Sequence, residues 1–209
     1  MAGTLFITAA SADFKIVNRL LLHLRDWAHE SGDRFYVVTS RDTADPDDQL
    51  SDLRSTETTQ GDITAENWQN VWAGATIAEL TAFCLEAVQK GTKRRCPGLF
   101  LALDEQGVTD ETVIVFYQIF DSDIEISGPK LTTGDGFKKV RMPWSAAYLM
   151  WCNLEIANMN FEEFADNQEI PDDGGWYETG GLASYDGLDE QQHRNREVEI
   201  ARFESEGRA

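Results

Sequence analysis

Residues 4–40 read TLFITAASADFKIVNRLLLHLRDWAHESGDRFYVVTS, and this stretch decides the fold. Thr4 to Ala9 is a short apolar run with strand character. Ser11 follows as a candidate helix N-cap. Asp13 falls in the first turn, where the helix dipole favours an acid. Phe14, Val17, Leu21, Leu24 and Ala28 then recur on one helical face. Gly32 is a natural stop for that helix. Arg34 to Ser40 is rich in β-formers and predicts a second strand. Strand, helix and strand in this order predict a βαβ unit with parallel strands. The first turn, Ala9-Ala10-Ser11-Ala12-Asp13, has no glycine, which argues against a phosphate-cradling loop.

Further along, Gly98 to Asp104 and Thr112 to Phe120 are near-continuous apolar runs, separated by the turn-like Glu105-Gln106-Gly107. They predict two buried central strands, antiparallel because the connection is short. Phe137 to Met142 follows Asp135-Gly136, a pair suited to a tight turn. It predicts an outer strand, paired with whatever 131–133 forms and ended by Pro143. Helices are expected at 66–72, which carries Trp68 and Trp72 at i, i+4, and after Thr76. There Thr76 and Glu79 form a capping box, and Ile77, Leu80, Cys84, Leu85 and Val88 the apolar stripe. Trp144 to Cys152 is apolar and helical in character. Asn160 and Glu163 repeat the capping pattern, and 189–203 predicts a polar helix.

The fold class expected is therefore α/β: a mixed sheet with flanking helices, in the order β-α-β-α-α-β-β-β-α. This order resembles the thioredoxin-like arrangement, with Cys96-Pro97 ahead of the third strand. The redox pair that should open the first helix is absent, since Ala9-Ala10-Ser11-Ala12 stands there. Residues 1–168 are expected to form one domain containing an acidic loop, 42–66. Residues 169–209 are expected to form an acidic, Gly-containing tail, partly disordered or serving as a docking segment.

The run from Cys152 to Asp166 carries Asn153-Leu154, Ile156-Ala157-Asn158-Met159, Phe161 and Phe164. It resembles the closing signature of an uncharacterised family of small acidic bacterial and fungal proteins, catalogued as a domain of unknown function. Gly74-Ala75-Thr76 with Glu79-Leu80 resembles a second piece of that family. The resemblance covers 72–166. It implies one compact domain and carries no activity, ligand or catalytic residue.

Composition narrows the function classes. The chain has 209 residues, 18 Lys and Arg against 37 Asp and Glu, and a net charge of -19. Proteins that coat nucleic acid neutralise phosphates with clustered bases, so direct nucleic-acid binding is not expected. Attraction to an anionic membrane is equally disfavoured. A hydrophobic content of 42% and an aromatic content of 11% exclude a wholly disordered acidic chain. No secretory leader pattern and no spanning apolar run are visible. Cys84, Cys96 and Cys152 are odd in number and widely spaced, which favours a reducing, cytoplasmic setting. The charge is uneven. Residues 42–66 hold eight acids and one base, and residues 166–209 hold twelve acids and four bases.

Four groups are candidates for chemistry or binding. Asp121 and Asp123 follow an apolar strand and could hold a divalent cation, since hard cations take oxygen ligands. Against that stands a plain polar turn. Lys93, Arg94 and Arg95, with Lys90, form the one dense basic cluster, a candidate phosphate site or simply a solvated helix end. Trp176 and Tyr177 lie between Gly174-Gly175 and Gly180-Gly181. They are either a docking pair or buried by the tail folding back. His23, His29 and His193 have no local nucleophile, and no Gly-x-Ser-x-Gly elbow occurs. The leading expectation is a non-catalytic intracellular acidic module that binds a basic protein partner or a small ligand, with no cofactor. The alternatives are an enzyme using a divalent cation at Asp121 and Asp123, and an acidic nucleic-acid mimic that acts as an inhibitor.

Overall fold

The computed structural model describes residues 3–28, 35–41, 63–89, 98–119, 135–166 and 174–209. The expected βαβ unit is present: β1 (Gly3–Ile7), α1 (Phe14–His23) and β2 (Phe35–Val37), with β1 and β2 parallel. Asp13 caps α1 in place of Ser11. One of its carboxylate oxygens accepts from the amides of Lys15 and Ile16, both at 3.0 Å. The helix ends at His23, well short of Gly32.

After α2 (Ile77–Gln89), β3 (Leu99–Leu103) lies parallel to β1 on the side away from β2. The capping box at the start of α2 is made: the Thr76 amide donates to Glu79 at 2.8 Å, and the Glu79 amide to the Thr76 hydroxyl at 3.2 Å. Residues 105–107 are not a bare turn. Asp104 caps a short helix, α3 (Glu105–Asp110), which Glu111 ends in the left-handed region at φ 53°. Gly107 is needed there because a Cβ would run into the Thr112 carbonyl. Next, β4 (Thr112–Gln118) runs antiparallel to β3, as expected.

The strand β5 (Phe137–Pro143) pairs antiparallel with β4 along its full length, from Thr112↔Pro143 to Gln118↔Phe137. It is an inner strand, because β7 (Trp176–Thr179) lies parallel on its other side. The partner expected for it at 131–133 lies outside the described residues. Then come α4 (Trp144–Glu155) and the two-residue β6 (Ala165–Asp166), which pairs with β7. The chain finishes with α5 (Glu190–Ser205), capped by Asp189. The whole is a seven-stranded mixed sheet in the order β2-β1-β3-β4-β5-β7-β6. From residue 174 onward, the stretch expected as a tail supplies a strand and a helix to this body.

Strand parity divides the core. Leu5, Ile7, Leu99, Leu101, Leu103, Val113, Val115, Val140 and Met142 form an aliphatic face, covered by α1 and α4. Phe6, Phe100, Phe116 and Phe137 form an aromatic face, against which α2 packs Leu80, Phe83, Cys84 and Ala87. Period-2 alternation explains the division, since adjacent residues point to opposite faces. Trp72, Trp144 and Trp151 are core residues.

The expected helix at 66–72 is absent; the segment runs through turns. Helical spacing would put Trp68 and Trp72 on one side. Instead Trp68 packs against the aliphatic cluster and Trp72 sits in the aromatic one. The segment therefore wraps round the end of the sheet. Among the described residues no helix is long and apolar enough to cross a membrane.

Candidate functional site

The strand order reverses at β1, with β2 on one side and β3 on the other. The helix after β1 packs on the aliphatic face, and the helix leading into β3 packs on the aromatic face. Open α/β sheets take ligands in the crevice outside the carboxyl ends of such strands. In this chain the carboxyl ends of β1 and β3 lead into Thr8 to Ser11, Asp104 and Glu105, beside the wrapping segment that starts at Ile63.

Its backbone is closely tied. The amides of Thr8 and Ala9 both donate to the Leu103 carbonyl, at 2.8 and 3.0 Å. The Gly74 amide donates to the Thr8 carbonyl at 2.8 Å, and the Asn70 amide group to the Ala9 carbonyl at 2.8 Å. The next two amides are those of Ala10 and Ser11. Glu105 takes both: its Oε1 accepts from Ala10 at 2.6 Å and from Ser11 at 3.1 Å. The Ser11 hydroxyl donates to its Oε2. That hydroxyl first, and then the Ser11 and Ala10 amides, hold the Glu105 carboxyl below the usual range.

Next to it, Asp104 is gripped by the Arg141 guanidinium, Nη1 to Oδ1 at 2.8 Å and Nη2 to Oδ2 at 2.6 Å. The Gly107 amide adds a third bond at 2.8 Å. Burial works to raise this carboxyl, but Arg141 and Gly107 outweigh it and keep it below the usual range. Asp104 is therefore an anion fixed by its own chain, accepting three hydrogen bonds.

A carboxylate thus occupies the place where such folds receive an anionic ligand. Glu105→Ala should vacate it. Saturating inorganic phosphate is then expected to raise the melting temperature of the variant and leave the parent unchanged, as read by thermal shift. Equal behaviour of the two would show that the amides hold their positions only with Glu105 present.

The residues singled out from sequence are distributed as follows. Trp176 and Tyr177 stand in β7, opposite Lys139 and Val140 of β5. Trp176 packs on the aromatic cluster, and Tyr177 lies on the other face, 5.2 Å from the Phe161 ring. Both are half-buried, which is the folded-back arrangement rather than an exposed pair. Lys93, Arg94 and Arg95 lie outside the described residues, and so do Asp121 and Asp123. Among the described residues no three His, Cys, Asp or Glu side chains come together as a metal site. Glu105 had no signal in the sequence, because its partners lie 94 and 95 residues away.

A family model described as a domain of unknown function (DUF6924) matches residues 42–178, more than half of the chain. The chain belongs to the DUF6924 family. No curated protein and no solved structure matches it. The DUF6924 span takes in α2, β3, α3, β4, β5, α4, β6 and most of β7, and leaves out β1, α1, β2 and α5. The hydrogen-bonded cluster crosses that boundary: Asp104, Glu105 and Arg141 come from within the DUF6924 span, and Ala10 and Ser11 from outside it. The strand β1, buried at all five positions, likewise lies outside.

Proposed function

We propose that this chain is a non-catalytic intracellular module that binds a basic protein partner at the carboxyl edge of its sheet. The observation that carries the reading is the seat of Glu105 on the Ala10 and Ser11 amides. With those donors satisfied internally, a phosphate has neither free amides nor net positive charge to meet. What the edge presents is acid: Asp13, Glu105, Asp110 and Glu111 are all exposed there. The acid-rich connection 42–62 leaves the described fold after Arg41 and re-enters at Ile63, and both ends are tied nearby. Arg41 Nε donates to the Val71 carbonyl at 2.8 Å, and the Asn18 side-chain amide to the Ile63 carbonyl at 3.0 Å. Such a surface speeds the approach of a basic partner by long-range attraction.

A labelled arginine-rich peptide of defined sequence is the probe. Fluorescence polarisation is expected to show saturable one-to-one binding that weakens with salt. Asp45→Asn, Asp47→Asn and Asp48→Asn together should lower the association rate several-fold. The control variant carries Glu190→Gln, Glu197→Gln and Glu204→Gln, an equal charge change on the exposed side of α5, and should bind as the parent does. Equal weakening by the two variants would reduce the effect to overall charge and remove the proposed edge, as would no binding at all.

A further inference from the structure

The helices α1 and α5 meet outside the aliphatic face, and their apolar contact is small. Leu22 of α1 packs against Ile200 and Phe203 of α5, with Trp27 and Ala209 at its margin. A charged group adjoins this contact. Arg196 of α5 is buried, and its guanidinium donates to Asp186 at 3.1 Å and toward His193 Nδ1 at 3.1 Å. His193 Nε2 stands 3.4 Å from the same Asp186. On α1, Arg19 pairs with Glu111 at 3.2 Å.

His23 of α1 sits among these groups, its ring centroid 5.9 Å from that of Trp144. Neither ring nitrogen is accessible to solvent, and neither has a hydrogen-bond partner. Burial, then Arg196, then Arg19 push its pKa down from the ordinary 6.5 to about 4, and Asp186 alone among the acids pulls the other way. The neutral ring tolerates this position. A charged ring would add a third cation beside two guanidiniums whose acids, Asp186 and Glu111, are already engaged.

We infer that His23 is a proton-operated latch: neutral, it lets α5 dock on α1, and protonated, it drives α5 off. The helix α1 cannot yield, because Val17, Leu20, Leu21 and Leu24 are built into the main core. The weaker side is α5, whose buried apolar side chains are Ile200 and Phe203. Just beyond it, the Asn18 side chain donates to the Arg208 carbonyl at 2.7 Å. Release would uncover Leu22 and Asn18, both now fully buried, and so change what the protein presents when the medium acidifies.

The sign follows from linkage. The undocked ring takes a proton near its ordinary value and the docked ring only well below it. Docking is therefore at full strength well above about pH 6.5 and weakens as the pH falls through and below it, by up to about tenfold per unit. Hydrogen exchange of the full chain, corrected for intrinsic rates and followed by mass spectrometry, tests it. Between about pH 6.5 and about pH 5, exchange across 190–205 should rise roughly fifteenfold, while β1 and β3 keep their protection. In His23→Phe and His23→Gln chains, α5 should stay protected at both values. Opening of α5 in both variants at the parent's pH would transfer the effect to His193, Asp186 or Glu111 and overturn the latch. Joint loss of sheet and α5 protection would do the same. Should neither variant fold, the ring resonances of His23 in the parent decide: they must titrate in step with α5 opening, and titration without opening refutes the inference.

Discussion

Phe100→Ala is expected to lower the stability of this protein by about 3–5 kcal/mol. Phe100 is 0% exposed at the centre of the aromatic face. Its ring stacks on Phe116, its cross-strand partner, at 4.4 Å and 10°. It meets Phe6 and Phe137 edge-on, each at 5.4 Å. Truncation removes the transfer free energy of the ring and leaves a cavity whose walls are themselves rings held in strands, so collapse is restricted. The lost aromatic pairs add about 0.5–1.5 kcal/mol each beyond area. A domain with about 5–15 kcal/mol in hand would be left marginal. Urea denaturation reads the effect as a fall in midpoint at unchanged slope. A loss below about 1 kcal/mol, near what a surface change costs, would mean that this face is not part of the cooperative core.

The features legible in the sequence were those set by one dominant force. Apolar runs at 98–104 and 112–120 could only be buried strands, and the helical stripe between two β-rich runs could only be a parallel crossover. What misled was spacing that two geometries share. Trp68 and Trp72 at i, i+4 satisfy a helix, yet they also suit a segment bent round a sheet edge with one ring on each face. Ser11 and Asp13 are both good caps, and Asp13 prevails because one of its carboxylate oxygens reaches two amides. The inner position of β5 was hidden because its neighbour β7 is four residues, Trp176 to Thr179, with no strong apolar alternation and no more than a two-residue pairing. The Glu105 cluster was invisible for a different reason. Glu105 and Ser11 are ordinary polar residues, and their meeting depends on β1 and β3 being neighbours in register.

Asp135→Ala should destabilise the fold by about 3–5 kcal/mol, more than its place at a strand entrance suggests. Its partner Lys139 is 1% exposed on the aromatic face of β5, cross-strand from Phe116 and Trp176. The ammonium donates to Asp135 Oδ2 at 2.5 Å and to the Phe137 carbonyl at 3.3 Å. Removing the carboxylate leaves a buried cation with one neutral acceptor among rings. Removing the cation is a different matter. Lys139→Met keeps the length of the side chain, matches the apolar surroundings and leaves Asp135 with some access to water. That variant should lie within about 1 kcal/mol of the parent, because a buried pair returns little more than its desolvation costs. The double variant should recover most of what Asp135→Ala loses, a coupling that urea denaturation of the four chains measures directly. A mild Asp135→Ala would show that water reaches the ammonium. A damaging Lys139→Met would show that the pair does more than offset its own burial. In that case it fixes the register of β5, where Lys138 faces the opposite side and holds Glu162 at 2.7 Å, so that a slip of one residue would exchange the two ion pairs with the core.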